Sequence, residues 1–215
     1  MEKFVPRFQR APWPDGAAVL HVYAVPDQHT GTGLARLVRE CRAAMLPSPI
    51  TPMGPDTLHC TVEMIADTTS DRITAGERAT LAEALREHLA TTGPIEVEAR
   101  SPHTNRAGAA LDLDPEQPLV DLRERVRDAV RATRGPGALL HDGGRPHISL
   151  GYAWAEASPD ALRTALGRIS PDHAPFRFSA VQLLDVRFRQ HPRPGGATGW
   201  ELTWEPVATI PLGRP

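Results

Sequence analysis

Hydrophobic and polar positions along this chain alternate between a period of two and a period near 3.6. Val19 to Val25 (VLHVYAV) is β-rich and closes at Pro26-Asp27, which predicts a strand running into a loop. Leu34, Leu37, Val38, Cys41 and Met45 then recur at helical spacing with Arg36, Arg39, Glu40 and Arg42 on the other face. A proline-rich loop (LPSPITPMGPD) leads to a short alternating strand, Leu58 to Ile65 (LHCTVEMI). Thr74 and Glu77 have the spacing of a capping box, and Leu81, Leu85 and Leu89 carry that helix to the stop at Thr91-Thr92-Gly93-Pro94. Strands are predicted at Ile95–Ala99 and Ala109–Leu113.

The second half repeats this grammar. Leu119, Leu122, Val126 and Val130 mark a helix that ends near Gly135-Pro136-Gly137. His147 to Trp154 (HISLGYAW) reads as a strand, and Ser158-Pro159 starts a helix through Leu162, Leu166 and Ile169. Val181 to Arg189 and Trp200 to Trp204 alternate again as strands. Strands and helices thus interleave in two similar halves with no long linker between them, and at 215 residues one two-lobed domain or two small ones are both open.

Composition narrows the function classes. Twenty-two prolines and 17 glycines in 215 residues interrupt the chain too often for a coiled coil. With 24 basic and 26 acidic residues the formal net charge is −2, which argues against a protein that coats duplex DNA by counterion release. Of the basic residues, 23 are Arg and only Lys3 is lysine, a skew that a biased genome explains as well as phosphate binding does. Cys41 and Cys60 sit in apolar periodic stretches, as reduced thiols of a cytoplasmic protein would. No apolar run has the length of a signal peptide or a membrane span, so no membrane partner is expected.

Two strands carry one local pattern, Leu58-His59-Cys60-Thr61-Val62 and Pro146-His147-Ile148-Ser149-Leu150. With nine His and 24 Ser or Thr, about one His-x-Ser/Thr triplet is expected by chance. Requiring apolar neighbours at the other two positions makes a pair of them roughly a one-in-a-hundred event. Positions i and i+2 of a strand share a face, so His59 lies with Thr61 and His147 with Ser149. Two imidazoles of ordinary pKa about 6.5 can hold one neutral and one protonated form near neutral pH. That suits a phosphodiester, whose cleavage needs a base for the attacking oxygen and an acid for the leaving one. The adjacent hydroxyls can donate to non-bridging phosphate oxygens.

Paired His-x-Thr/Ser-x motifs about 90 residues apart, each on a strand of a repeated half, resemble the two-histidine phosphoesterase superfamily, in particular its 2′-5′ RNA ligase-like and cyclic phosphodiesterase members. The resemblance runs from the strand at Val19 to the strand around Trp200. It implies a single bilobal, pseudo-two-fold α+β domain over residues 1–215, one half about 15–105 and the other about 106–215 with strands exchanged between the lobes, and with two antiparallel β-sheets, flanking helices and a central cleft. His59 and His147 would be the acid/base pair, and Thr61 and Ser149 the phosphate-holding hydroxyls. It further implies a metal-independent phosphodiesterase acting on 2′,3′-cyclic phosphates or 2′-5′ linkages of small nucleotides or RNA ends, without cofactor or ATP. The alternatives are 2′-5′ ligation by the reverse chemistry and a non-catalytic binder of nucleotides or RNA ends. The chain is read as a monomer.

The chain departs from the family pattern two places beyond each hydroxyl, at Glu63 and Gly151; by alternation Glu63 would face the phosphate and repel it. His21 and Tyr23 share a face of the first strand and either pack or touch a base or ribose. Arg145 could reach a phosphate or remain a solvated loop residue. Alternation puts Tyr152 on the core side, which disfavours stacking on a base. Arg187 and Arg189 share a face and read as a surface pair. His103, His141 and Asp142 lack any metal-binding spacing, so no metal is expected there. Phosphate-loop, dinucleotide and nucleophile-elbow motifs are absent from the sequence.

Overall fold

Two strand–helix–strand units meet at the middle of one curled antiparallel sheet. The computed structural model describes residues 1–27, 32–140 and 143–213. A short hairpin of β1 (Arg7–Phe8) and β2 (Ala11–Pro12) precedes β3 (Ala18–Ala24), α1 (Thr32–Met45), β4 (Ile50–Pro52) and β5 (Cys60–Met64). Then come α2 (Ala75–Leu89), β6 (Ile95–Ala99), β7 (His103–Asn105) and β8 (Gly108–Asp114). The rest is α3 (Gln117–Arg134), β9 (His147–Ala153), α4 (Asp160–Leu166), β10 (Ala174–Phe178), β11 (Ala180–Pro192) and β12 (Thr198–Pro211).

Strand order in the large sheet is β10-β6-β8-β9-β5-β3-β11-β12, with β4 beside β9 and β7 beside β8. Its two halves correspond: β3–α1–β5 on one side of the centre matches β8–α3–β9 on the other, and the second strands of the two units, β5 and β9, pair through Cys60 and Ile148. At one edge β12 curls back toward β4 and β9.

The helices cover one face. Leu34, Leu37, Val38 and Cys41 of α1, Leu81, Leu85 and Leu89 of α2, and Leu119, Leu122, Val126 and Val130 of α3 join Leu20, Val22, Val62, Leu111 and Ile148 in one core. Each helix shows the 3.6 period to the sheet, so its burial, not its intrinsic propensity, supplies most of its stability. The capping box at Thr74 and Glu77 is formed in both directions. Gly135, at φ +79°, ends α3 where the sequence places its stop.

Several elements go beyond the sequence reading, β7 and β10 among them. β4 lies inside the proline-rich stretch, where a strand is not expected. It pairs only with β9, so Pro52 sits on a strand with one partner, where a missing N–H is tolerated. Hairpin β1–β2 is built on only four paired residues. β12 continues through polar and proline positions for 14 residues because β11 lies along its whole length.

Both motif strands break step at the same place. On β5, Tyr23 pairs with Thr61 but Val22 pairs with Glu63, which leaves Val62 as an extra residue. On β9, Ala110 pairs with Ser149 but Ala109 pairs with Gly151, which leaves Leu150 extra. Each is a β-bulge immediately after the motif hydroxyl, and a bulge exchanges the faces of every residue beyond it. The close β8–β9 approach needs glycine at Gly108, where a Cβ would lie 2.0 Å from the Gly151 carbonyl oxygen. Gly108→Ala is therefore expected to part these strands at a cost of about 1–3 kcal/mol. A thermal melt should show a Tm lower by about 2–12 °C; an unchanged Tm would refute the tight packing.

Candidate active site

The concave face of the sheet, opposite the helices, collects both motifs. Extending the Cys60–Ile148 register by one residue in each direction sets His59 opposite Ser149 and Thr61 opposite His147. On such a pair the histidines are diagonal neighbours, about 7–8 Å apart. Cys60 and Ile148 turn to the helix side, where both are buried. The four residues that the sequence singles out are thus brought together on one face.

Both imidazoles are held alike. His59 Nδ1 lies 2.7 Å from the carbonyl oxygen of Thr57, and His147 Nδ1 lies 2.9 Å from that of Arg145. A carbonyl only accepts, so Nδ1 carries the hydrogen in each ring and Nε2 is left for chemistry. Their surroundings differ. His59 is 5% exposed, face to face with Tyr23 (centroids 3.9 Å, planes 12° apart) and edge-on to Trp204 (5.4 Å, 89°). Burial pushes its pKa down to about 4; the Thr57 carbonyl opposes that shift and a charge on His147 adds to it. At neutral pH His59 is an uncharged ring with a lone pair on Nε2. His147, Thr61 and Ser149 are half-buried and remain open to solvent.

The chain has two tyrosines, and each phenol lies beside one motif hydroxyl. Tyr23 pairs with Thr61, and Tyr152 with Ser149. Burial raises both phenol pKa values, so both stay protonated. Tyr152 is a correction to simple alternation. The bulge at Leu150 moves it from the core side to the concave face, where Phe4 stacks on it (4.0 Å, 12°). Tyr23 is a wall of the His59 pocket. His21 lies behind it, 5.2 Å ring to ring, as a packed side chain.

Glu63 is a second correction. The bulge at Val62 turns it away from the phosphate-facing side to the helix side, where it is fully buried (0% exposed). Its carboxylate lies 3.7 Å from Arg127 of α3 and accepts from the Met64 N–H at 3.0 Å. Burial raises its pKa to about 7, against the pull of Met64 N–H, Arg127 and Arg123. The repulsion expected from alternation is therefore removed.

Arg145 is exposed, but its guanidinium is engaged by two carboxylates, Asp112 at 2.9 Å and Glu116. Its carbonyl, not its charge, touches His147. Pairing of Arg187 with Ala18, and of the adjacent Val186 with Val19, puts Arg187 on the helix side of β11 together with Asp185, which binds Arg78 of α2 at 2.5 Å. His141 and Asp142 lie outside the described residues, and His103 faces Asp112 at 3.8 Å. Among the described residues no group of three or more His, Cys, Asp or Glu is placed to hold a metal ion, and no helix is long and apolar enough to cross a membrane.

Two residues at the site carry a weaker sequence signal. Trp204 shares a face with Leu202 in the alternation of β12, but nothing local marks it as a wall of the His59 pocket. Arg123, 9% exposed on α3, donates to the Gly144 carbonyl at 2.8 Å and so fixes the loop three residues before His147. An arginine within a helical charge pattern gives no sign of that duty. A cavity of about 700 Å³ lies at the other end of β3 around Asp185 and Arg187, away from the histidines.

The architecture is shared with known structures. TT0787 of Thermus thermophilus superposes with a TM-score of 0.62 at 15% identity, covering 90% of this chain and 97% of that one. Escherichia coli LigT in its apo form gives 0.58 at 13% identity, covering 92% and 99%. LigT complexed with 3′-AMP gives 0.58 at 13%, covering 91% and 98%. At such identities the likeness establishes the fold. No curated protein matches the sequence. Residues 67–187, more than half of the chain, match the profile of the 2′-5′ RNA ligase superfamily, a span that contains the second motif and begins just beyond the first. With that match and this fold, the chain belongs to the 2′-5′ RNA ligase superfamily of two-histidine phosphoesterases.

Proposed function

We propose that the protein is a metal-independent phosphodiesterase acting on 2′,3′-cyclic phosphate ends or 2′-5′ linkages of RNA or small nucleotides. The observation that carries this reading is the β5–β9 register, which sets His59, Thr61, His147 and Ser149 on one face with both Nε2 atoms free of backbone partners among the described residues. The complex of LigT with 3′-AMP supports a nucleotide-sized substrate.

On this reading the two histidines divide the labour. Buried, neutral His59 accepts a proton from water at Nε2 as the water oxygen bonds to phosphorus. His147 donates its Nε2 proton to the departing ribose oxygen as the P–O bond breaks. Thr61 and Ser149, each beside a tyrosine phenol, donate to the non-bridging oxygens, where negative charge builds. The proton balance closes when His59 loses its proton and His147 regains one from solvent. Both transfers are made by side chains, so the scheme requires no metal.

The test is a substrate panel in EDTA: 2′,3′-cyclic mononucleotides, 2′-5′ dinucleotides and RNA with a cyclic-phosphate end. Turnover of at least one with chelator present is expected. Turnover that vanishes on chelation and returns with a divalent ion would sink the metal-free scheme. Binding without turnover of any substrate would identify a binder instead, and joined 2′-5′ products would identify a ligase.

A further inference from the structure

Hairpin β1–β2 turns on Gln9 and Arg10, whose φ angles are +50° and +66°. A two-residue hairpin with positive φ at both positions favours Asn-Gly or Asp-Gly, and side chains with a Cβ are strained there. The turn is nevertheless anchored. Gln9 Nε2 donates to the carbonyls of Ala66 (2.8 Å) and Asp67 (2.9 Å), and Phe8 and Trp13 are buried with Val19 and Ala66. From Trp13 a line of ring contacts runs along the concave face through His21 (6.1 Å) and Tyr23 (5.2 Å) to His59 (3.9 Å).

What this strained turn presents is positive charge over a cavity. Arg7, Gln9 and Arg10 line a space of about 400 Å³ with Met64, Leu140, Gly143 and Gly144. That is within the usual size of small-ligand sites, and among the described residues no carboxylate lines it. Arg7 donates to the Arg10 carbonyl at 3.1 Å, while the Arg10 guanidinium has no hydrogen bond or ion pair among the described residues. Leu140 is 52% exposed and, with Met64, gives an apolar wall. Gly144, at φ +81°, has nothing within 4 Å of where a Cβ would stand, so a ligand can approach its backbone closely, while Gly143, at φ +77°, makes room for the Arg123 guanidinium.

The cavity adjoins the catalytic face along both motif strands. Met64 is three residues beyond Thr61, and Gly144 three residues before His147. At about 3.3 Å per residue the offset is about 10 Å or less, the reach of a neighbouring nucleotide on a single strand. Two guanidinium groups at the rim suit a phosphate, and the apolar wall suits a base.

We propose that this cavity is a second subsite, which takes the nucleotide next to the scissile phosphate and makes an oligonucleotide end a better substrate than a mononucleotide. This rests on the phosphodiesterase reading above. In the Arg7→Ala/Arg10→Ala protein, the ratio of kcat/KM for a dinucleotide ending in a 2′,3′-cyclic phosphate to that for the cyclic mononucleotide should fall about tenfold, the loss of one good phosphate contact. The salt slope of binding to a labelled RNA pentamer should flatten by about 0.7 per lost contact.

Arg10→Gly separates ligand binding from structure. Glycine relieves the strain at φ +66°, so its Tm should rise by about 2–4 °C while the substrate ratio falls. An unchanged ratio in the double variant, or an equal fall for both substrates, overturns the subsite. If the wild type turns over neither substrate, the phosphodiesterase reading fails and the subsite is judged on the pentamer alone. Binding that weakens about tenfold in the double variant then upholds it, and unchanged binding overturns it.

Discussion

Replacing either motif histidine is expected to lower kcat/KM for the processed substrate by about 10²–10⁴-fold, the usual contribution of one positioned acid or base. His147→Ala is the cleaner variant, because His147 is half-buried and its removal opens no core cavity. His59 fills the space between Tyr23 and Trp204, so His59→Asn, which keeps part of that volume, is preferred to alanine. The double variant should fall little further than the worse single, since one proton transfer without the other does not complete the reaction. The pH profile adds a readout that a packing role would not move. With His59 depressed to about 4, the acid limb of kcat/KM that it sets should fall near pH 4 rather than near 6.5. His147→Ala at wild-type rate with a wild-type melt would remove His147 from the chemistry, and an acid limb near 6.5 would reverse the base assignment.

Much of this site was legible because strand alternation is a local rule. His59 and Thr61, or His147 and Ser149, share a face whatever the remainder of the fold does, and the apolar residues between them identify the buried side. The rule fails one residue later on both strands. Val62 and Leu150 are ordinary apolar residues in a β-rich run, and nothing about either announces an unpaired position. Yet the two bulges move Glu63 off the phosphate-facing side and bring Tyr152 onto it. A bulge is set by how two strands meet, and the partner strands, β3 and β8, lie about 40 residues earlier in the chain. The hairpin at Gln9-Arg10 was hidden for the opposite reason, since its turn residues violate the local preference and are held by contacts with Ala66 and Asp67, more than 50 residues away. Helices were easier: Thr74, Glu77 and the leucines at 81, 85 and 89 specify α2 without outside help.

Stability should be nearly flat between about pH 4.5 and 6.5 with respect to the two buried titrating groups of β5 and its approach, because their linkages oppose. His59 binds its proton at about 4 in the fold and near 6.5 when unfolded. Between those values the unfolded chain holds more protons, so stability falls as pH drops, by about 3 kcal/mol over the window. Glu63 is the reverse, with a folded value of about 7 against an unfolded one of 4.5. Its folded form holds the extra proton, so stability rises as pH drops from about 7 to 4.5, by a similar amount. Single substitutions should expose each slope. Glu63→Gln keeps the shape and removes the buried carboxylate, while Arg127, partly exposed, can turn to water. It should stabilise the protein at pH 8 and lose that advantage by pH 5, leaving an acid-labile enzyme whose melt follows His59. His59→Asn should show the mirror image, gaining stability as pH falls toward 5. The carboxylates of Asp27, Asp71 and Asp172, all lowered in the fold, weaken the structure only at lower pH, below their unfolded values of 3.8. Chemical denaturation at pH 5, 6.5 and 8 on the three proteins decides the matter, and parallel curves would show that neither buried group titrates across this range.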